Sequence, residues 1–325
     1  MPVVGIIANP SAGKDIRRLV AHGRVVSNQE KSNILRRVFA GIASTSTKKI
    51  LVMPDHSGLS VPAAADVSDK LKVEYLDMRI ADSQESSTFA AKKMYEENVD
   101  CIVTLGGDGT NRVVAKGCKN IPLIPISTGT NNVFPAPTEG TLAGIVAGSI
   151  ADRTLSIKES CNQSKKIDIF CNDNFIDDAL VDVAISKEMF VGARAVWDIN
   201  TLHSIILTRA EPVSIGLSSI GSRIENINID DPCGLYIILD RNIKSEKKYV
   251  KAPIAPGTIP NIRIIDYKKI TTKDKISIET YPGTIALDGE REIELLPDNT
   301  YYAILNLDGP WVANVPKSMK ILSKI

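Results

Sequence analysis

The chain has 325 residues, 43% hydrophobic and 24% charged, the ordinary composition of a globular protein and not that of a disordered one. Its 39 basic and 38 acidic side chains leave a net charge of +1, and residues 1–140 carry 17 basic against 14 acidic, so neither half is the polycation that general nucleic-acid binding requires. No run approaches the ~20 consecutive apolar residues of a membrane span, and five cysteines without CxxC spacing form neither a disulfide framework nor a zinc site, so a reduced, cytoplasmic protein is expected.

Residues 1–150 alternate short apolar runs with helical patterns. Val3–Ala8, Ile50–Met53, Val73–Leu76, Cys101–Leu105 and Leu123–Ile126 read as strands. Ser27 and Glu30 form a capping-box signature ahead of Ile34, Leu35, Val38, Phe39 and Ile42, which share one helical face. Asp82 and Glu85 precede Phe89, Ala90 and Met94 in the same way. This alternation predicts an α/β domain built on a doubly wound parallel sheet.

Over residues 151–300 strands dominate: Lys166–Phe170, then Phe175–Ile185 after the turn at 171–174, Ile224–Ile229, Gly234–Leu239, Ile262–Ile265, Ile276–Thr280 and Thr284–Leu295. One helix, Glu188–Leu207, is predicted to interrupt them, and this second domain is expected to be mostly β. Within residues 301–325, Tyr301–Asn306 and Trp311–Val315 are candidates to return to the first domain.

The sharpest segment is Leu105-Gly106-Gly107-Asp108-Gly109-Thr110-Asn111, directly after a predicted strand and before a helix. Three glycines permit positive φ and close approach of backbone to ligand, and a helix start offers unpaired N–H groups to an anion. Asp108 is not suited to binding phosphate directly; it suits a Mg²⁺ ion or a hydroxyl proton. A plain tight turn in any such sheet would look the same, and this segment alone leaves both readings open. Two further turns follow strands. Asn9-Pro10-Ser11-Ala12-Gly13-Lys14 is not a Walker A loop, because Asp15 stands where Ser or Thr is needed; Ser127-Thr128-Gly129-Thr130-Asn131-Asn132 is the other. The carboxyl ends of parallel strands line the ligand crevice of such sheets, so all three turns are expected at one edge. Residues 11–40 hold seven basic and two acidic side chains, either a solvated surface or a phosphate-facing rim.

Gly106-Gly107-Asp108-Gly109-Thr110 resembles the signature of the NAD kinase/diacylglycerol kinase superfamily, whose members share an α/β domain followed by a β-rich one. The turns at 9–14 and 128–131 and the segment Ala286-Leu287-Asp288-Gly289-Glu290 are similar as well. The nearest likeness is to the ATP-NAD kinase-like group that includes the acetoin-catabolism X protein, through residues 13–20, 192–197 and 287–292. The resemblance implies an NAD kinase-like fold in which residues 1–150 bind nucleotide phosphates and residues 151–300 the substrate. Gly106, Gly107, Gly109, Thr110 and Asn111 would hold phosphates, with Asp108 as base or Mg²⁺ partner; Asn9, Ser11, Gly13 and Lys14 would join them. Ser127, Thr128, Gly129, Thr130, Asn131 and Asn132 would add contacts to the nucleotide, Glu290 is a second candidate base, and Asp182 and Asp288 would meet the substrate. ATP or polyphosphate is the implied donor, Mg²⁺ the cofactor, NAD or a related small molecule the acceptor, and a homo-oligomer the assembly. Asp288-Gly289 is also the commonest signal of a type I′ hairpin.

Two departures bear on the acceptor. NAD kinases carry an Asn-Glu or Asn-Asp pair in a strand similar to residues 179–185; here Asp182 is kept and Val181 replaces the Asn. Their downstream Gly-Ser-Thr-Ala-Tyr block is missing, with Gly216-Leu217-Ser218-Ser219-Ile220 a loose counterpart. A polar ligand atom left unpaired in a buried site costs about 1–3 kcal/mol, which weakens the case for NAD. Besides a small-molecule kinase, the sequence therefore admits a non-catalytic nucleotide-binding regulatory protein. It also admits a lipid kinase, for which 5% aromatic residues and a net charge of +1 offer little membrane-facing surface. His22, His56 and His203 fall outside the turns, and His203 and Trp197 are assigned to packing or surface roles in the predicted helix.

Overall fold

β1 (Val3–Ala8) is buried along its whole length and alternates its side chains between two cores: Val4, Ile6 and Ala8 enter one, Val3 and Ile7 the other. In the computed structural model, which describes residues 1–14, 21–81, 83–189, 196, 198–239, 249–279 and 282–324, this strand centres a parallel sheet. Its neighbours are β2 (Lys49–Val52), β3 (Lys72–Tyr75), β4 (Cys101–Gly106) and β5 (Leu123–Ser127), in the order β3-β2-β1-β4-β5. α1 (Asn28–Ala43) and α2 (Val61–Asp66) cover the first core, and α3 (Gln84–Glu96) and α4 (Asp108–Cys118) the second; α5 (Gly140–Ala151) joins α1 on the first. The sheet is thus doubly wound, as expected, and its order reverses between β1 and β4, the switch point at which such sheets bind ligands. The Ser27 hydroxyl accepts from Glu30 N at 3.1 Å and starts α1 as its sequence predicts. α3 begins after Ser83, and Asp82, expected to cap it, lies outside the described residues.

After α6 (Ile157–Ser160) and β6 (Cys161–Gln163) the chain builds two antiparallel sheets. β7 (Lys166–Cys171), β8 (Asn174–Ala179), β9 (Asp182–Ser186) and β10 (Leu202–Leu207) are followed by α7 (Ser218–Ser222), β11 (Gly234–Leu239), β12 (Tyr249–Lys251) and β13 (Asn261–Ile270). β14 (Lys275–Ile278), β15 (Gly283–Leu287), β16 (Glu290–Leu295) and β17 (Tyr301–Asn306) complete them, in the orders β12-β13-β11-β10-β9-β15-β16 and β14-β17-β7-β8. Ile167, Ile185, Ile206, Ile285 and Leu305 form the core between the two sheets. β18 (Trp311–Ala313) then returns to the first sheet, parallel to β5 and antiparallel to β6, and α8 (Val315–Leu322) packs on the α1–α5 side. Among the described residues no helix is long and apolar enough to cross a membrane.

Several expected elements differ. The helix over Glu188–Leu207 is not formed: Ile199–Thr201 is a 3₁₀ turn and Leu202–Leu207 is β10, while residues 190–195 and Trp197 lie outside the described residues. β10 is paired on both sides and nearly all buried, and a short run buried on both faces shows no periodicity that separates strand from helix. His203 belongs to this strand and pairs with Glu279 at 3.3 Å. The single strand expected at Phe175–Ile185 breaks at Leu180 and Val181, so that β8 and β9 enter different sheets. Residues 224–229 contribute only an isolated bridge, Ile227 with Ala210. Tyr301–Asn306 pairs with β7 and stays in the second domain, whereas Trp311–Ala313 returns to the first. Thr284–Leu295 is a hairpin turning at Asp288 and Gly289, both at positive φ (50° and 77°).

Candidate active site

Three turns leave the carboxyl ends of β1, β4 and β5 and meet at the switch point. Lys31, a fully buried side chain of α1, fixes the first from beneath by donating to the carbonyls of Asn9, Pro10 and Ala12 at 3.1, 2.9 and 2.9 Å. Burial pushes its amine down to about 8, with the charge of Lys14 adding to the shift. Asn9 Oδ1 accepts from Ser11 N at 2.8 Å, and Asn9 Nδ2 donates to Thr110 Oγ1 at 3.0 Å, tying the first turn to the second. The third turn is tied to the second by Thr128 N, which donates to the Gly106 carbonyl at 3.0 Å. Gly13, at φ 77°, runs against it so closely that a Cβ would lie 3.0 Å from the Thr128 carbonyl oxygen.

The glycines of the second turn serve contact and not a left-handed backbone. Gly107 has φ −104°, and neither Gly106 nor Gly109 is among the positive-φ glycines, which corrects the expected conformation. A Cβ on Gly106 would come within 2.4 Å of the Thr110 side chain, and one on Gly107 or Gly129 within 2.8 or 2.5 Å of Asn132 Oδ1. Asn132 is held there by donating to Ser127 Oγ at 2.7 Å.

Asp108, the first residue of α4, points its carboxylate at the end of the third turn, accepting from Val133 N at 3.0 Å and Phe134 N at 2.8 Å. Asp288, at the β15–β16 turn, does the same within the second domain, accepting from Leu180 N at 3.0 Å, Val181 N at 2.7 Å and Asp182 N at 3.2 Å. These bonds are what divert the chain between β8 and β9. Burial pushes the Asp288 carboxyl up to about 6; the Arg112 guanidinium and the backbone donors oppose this, and the charge of Asp108 reinforces it. Glu290 stands over the start of α4, its carboxylate 3.2 Å from where a Gly109 Cβ would be, and accepts from Gln84 Nε2 of α3 at 2.8 Å. One turn into α4, the buried Arg112 pairs with Asp177 at 3.2 Å and Glu292 at 3.0 Å, joining this helix to the second domain.

These elements enclose a cavity of about 450 Å³. Of the predicted residues, Asn9, Ser11, Gly13, Lys14, Gly107, Asp108, Gly109, Thr110, Gly129, Thr130, Asn131, Asn132, Asp288 and Glu290 line it. Gly106, Asn111, Ser127 and Thr128 stand behind: Asn111 is fully buried between Thr104 Oγ1 at 2.6 Å and the Gly107 carbonyl at 2.9 Å. Thr130 Oγ1 and Asn131 Oδ1, both in the cavity wall, are buried without a hydrogen-bond partner, a cost of about 1–3 kcal/mol each that a bound polar ligand would relieve. A second cavity of about 300 Å³ lies between the third turn and the second domain; Asp182, Gly216 and Leu217 line it, and it shares Asp108, Asn131 and Asp288 with the first. Val181, the departure noted in the sequence, lines neither cavity: its side chain packs with Phe134 and Leu180.

Lys31, Gln84 and Arg112 were not legible as site residues. Only Lys31 carries a signal, a lysine set in the apolar stripe of α1 four residues before Leu35; Gln84 and Arg112 act through partners more than 60 residues away.

Residues 4–153 match the family described as the ATP-NAD kinase N-terminal domain, and residues 165–308 the acetoin catabolism protein X C-terminal domain. The chain is 36% identical to acetoin catabolism protein X of Cupriavidus necator over 309 residues, covering 92% of this chain and 86% of that protein. It is 22% identical to a Streptococcus pneumoniae protein named "Putative lipid kinase" over 301 residues, 85% of this chain and 95% of that one. The chain therefore belongs to the acetoin catabolism protein X family, within the NAD kinase/diacylglycerol kinase superfamily.

Proposed function

We propose that this protein is a phosphotransferase that moves the terminal phosphoryl group of ATP, or of another polyphosphate, to a hydroxyl of a small molecule. The observation that carries this reading is the convergence of three turns on one cavity, with the buried, unpartnered Thr130 hydroxyl and Asn131 amide oxygen in its wall and two buried carboxylates where it meets a second cavity. Phosphoryl transfer asks a protein mainly to position the groups and offset charge, and needs no covalent nucleophile. The polyphosphate lies along residues 9–14, 107–110 and 129–132, where the start of α4, Lys14 and the Thr130 hydroxyl meet its charge. Among the described residues no group of three His, Cys, Asp or Glu could hold a metal by itself, and this fits magnesium, which commonly rests on one or two carboxylates plus phosphate oxygens. Asp108 would hold it, and when bound it supplies charge neutralisation on the transferring phosphoryl group.

The acceptor oxygen attacks the terminal phosphorus, the bond to the bridging oxygen breaks, and ADP leaves with the electron pair. The proton goes to a carboxylate at the shared wall. Glu290 lines only the first cavity, whereas Asp288 borders both, and a carboxyl raised to about 6 is a stronger base near neutral pH than an ordinary one. Asp108, which also borders both, is left to the metal, its carboxylate oriented by the Val133 and Phe134 amides. Incubation with ATP, Mg²⁺ and a metabolite pool containing NAD, read by mass spectrometry for the gain of one phosphate, tests this. Asp288→Asn should abolish any product found. One observation favours a second reading: the Asp108 carboxylate is engaged by backbone donors, as in a purely structural loop clamp. A nucleotide-binding regulatory protein would show ATP-dependent thermal stabilisation and form no phosphorylated product.

A further inference from the structure

We infer that the second cavity takes a small alcohol carrying no phosphate, of nucleoside size or less, as the phosphoryl acceptor. This rests on the phosphotransfer reading and narrows it. The cavity measures about 300 Å³, the small end of ligand sites, against about 450 Å³ for its neighbour. Its lining combines aliphatic side chains, among them Val133, Ile199, Ile215, Leu217 and Ile254, with the carboxylates of Asp108, Asp182, Asp198 and Asp288. Among its described lining residues there is no Lys, Arg or His. An ionised carboxylate only accepts hydrogen bonds, so this lining favours hydroxyl donors and repels a phosphate.

The two cavities divide the chemistry between them. Both linings hold carboxylates, Asp55, Asp108, Asp288 and Glu290 in the first and Asp108, Asp182, Asp198 and Asp288 in the second, but the first sets against them Lys14, the backbone of the glycine turns and the unpartnered Thr130 hydroxyl. An acceptor that already bears phosphate would have to place it among carboxylates in an apolar enclosure, where charge repulsion is least screened. A neutral alcohol instead buries its carbon skeleton against the aliphatic wall and donates its hydroxyl to the carboxylates. In the transfer its O–H bond is lost to Asp288, its oxygen gains the bond to phosphorus, and the bridging oxygen leaves with ADP.

The test separates a small-molecule extract by anion exchange into an unretained pool, neutral and cationic, and a retained pool carrying phosphates and carboxylates. Each is incubated with the full-length protein, Mg²⁺ and ATP labelled at its terminal phosphate; adenosine, AMP, NAD and a short-chain diacylglycerol are run beside them as pure probes. Label is expected in a product formed from the unretained pool. Ala255→Trp, which fills the second cavity from a half-buried wall position, should cut that product at least tenfold while leaving the ATP-induced shift in melting temperature unchanged. Label arising only from the retained pool, NAD or AMP, or only from the diacylglycerol, overturns the inference and leaves the kinase reading standing. So does a product from the unretained pool that Ala255→Trp does not reduce. No label in any arm overturns the phosphotransfer reading itself, and the inference with it.

Discussion

The two cavities share a wall and are built from different material. The first is formed chiefly by three turns at strand ends, with Asp288 and Glu290 of the second domain completing it, so its shape is set largely by how the turns hold one another: Asn9 on Thr110, Thr128 on Gly106, Asn132 against Gly107 and Gly129. The second is made of aliphatic side chains and carboxylates drawn from both domains, so its shape is set by residue identity. A backbone cradle recognises a group every nucleotide carries, whereas a side-chain cavity can change its substrate by substitution.

Substitutions at the shared wall should have the largest effect. Asp288→Asn is expected to lower turnover by about a hundredfold or more, the usual contribution of a positioned base, while ATP binding persists. The pH dependence gives a sharper check because activity and stability move in opposite directions. Activity should fall as pH drops through about 6, as Asp288 takes up a proton. Its folded value lies above the 3.8 of an ordinary carboxyl, so the unfolded chain holds fewer protons in between. The stabilising contribution is therefore full below about pH 4 and is lost as pH rises through 6. Denaturation curves at pH 4 to 7 should show this slope in the wild type and a shallower one in Asp288→Asn, where Asp178, whose carboxyl burial also raises to about 6, keeps its share.

Next come changes beneath the first cavity. Lys31→Met leaves three carbonyls without their donor and should cost about 2–4 kcal/mol in urea unfolding, with weaker ATP binding. Gly129→Ala sets a methyl 2.5 Å from Asn132 Oδ1, and should weaken ATP binding by about tenfold, or ~1.4 kcal/mol, without altering acceptor affinity. The smallest effect belongs to the contact between domains at the rim. Gln84→Ala removes one exposed-edge hydrogen bond to Glu290 and should change kcat about threefold, within the ~0.5–1.5 kcal/mol of a single such bond. The exchanged pair Gln84→Glu with Glu290→Gln restores the bond and should recover kcat if Glu290 is needed only for closure.

Much of the first domain could be read from the sequence because its signals are local. The strands at 3–8, 101–106 and 123–127 are continuous apolar runs, and Ser27 with Glu30 announces α1 within four residues. The three turns follow from strand ends and the switch-point rule alone. In the second domain the decisive contacts are distant in sequence. A strand buried on both faces has no telling period, so the sequence of β10 reads equally as helix. The break at Leu180 and Val181 is imposed by Asp288, more than 100 residues away. The same carboxylate reads in sequence both as a hairpin residue and, by resemblance, as a substrate contact; its φ of 50° fits the hairpin, and the fold adds that it borders both cavities. Asn111 belongs to the motif but serves it from behind, a distinction that spacing does not carry.

The most direct measurement is a crystal structure with a non-hydrolysable ATP analogue and Mg²⁺. The phosphates should lie along residues 9–14, 107–110 and 129–132, with the Thr130 hydroxyl newly bonded and the terminal phosphate facing the wall formed by Asp108 and Asp288. An analogue bound in the second cavity, or anywhere away from those turns, would contradict the division of labour between the two cavities.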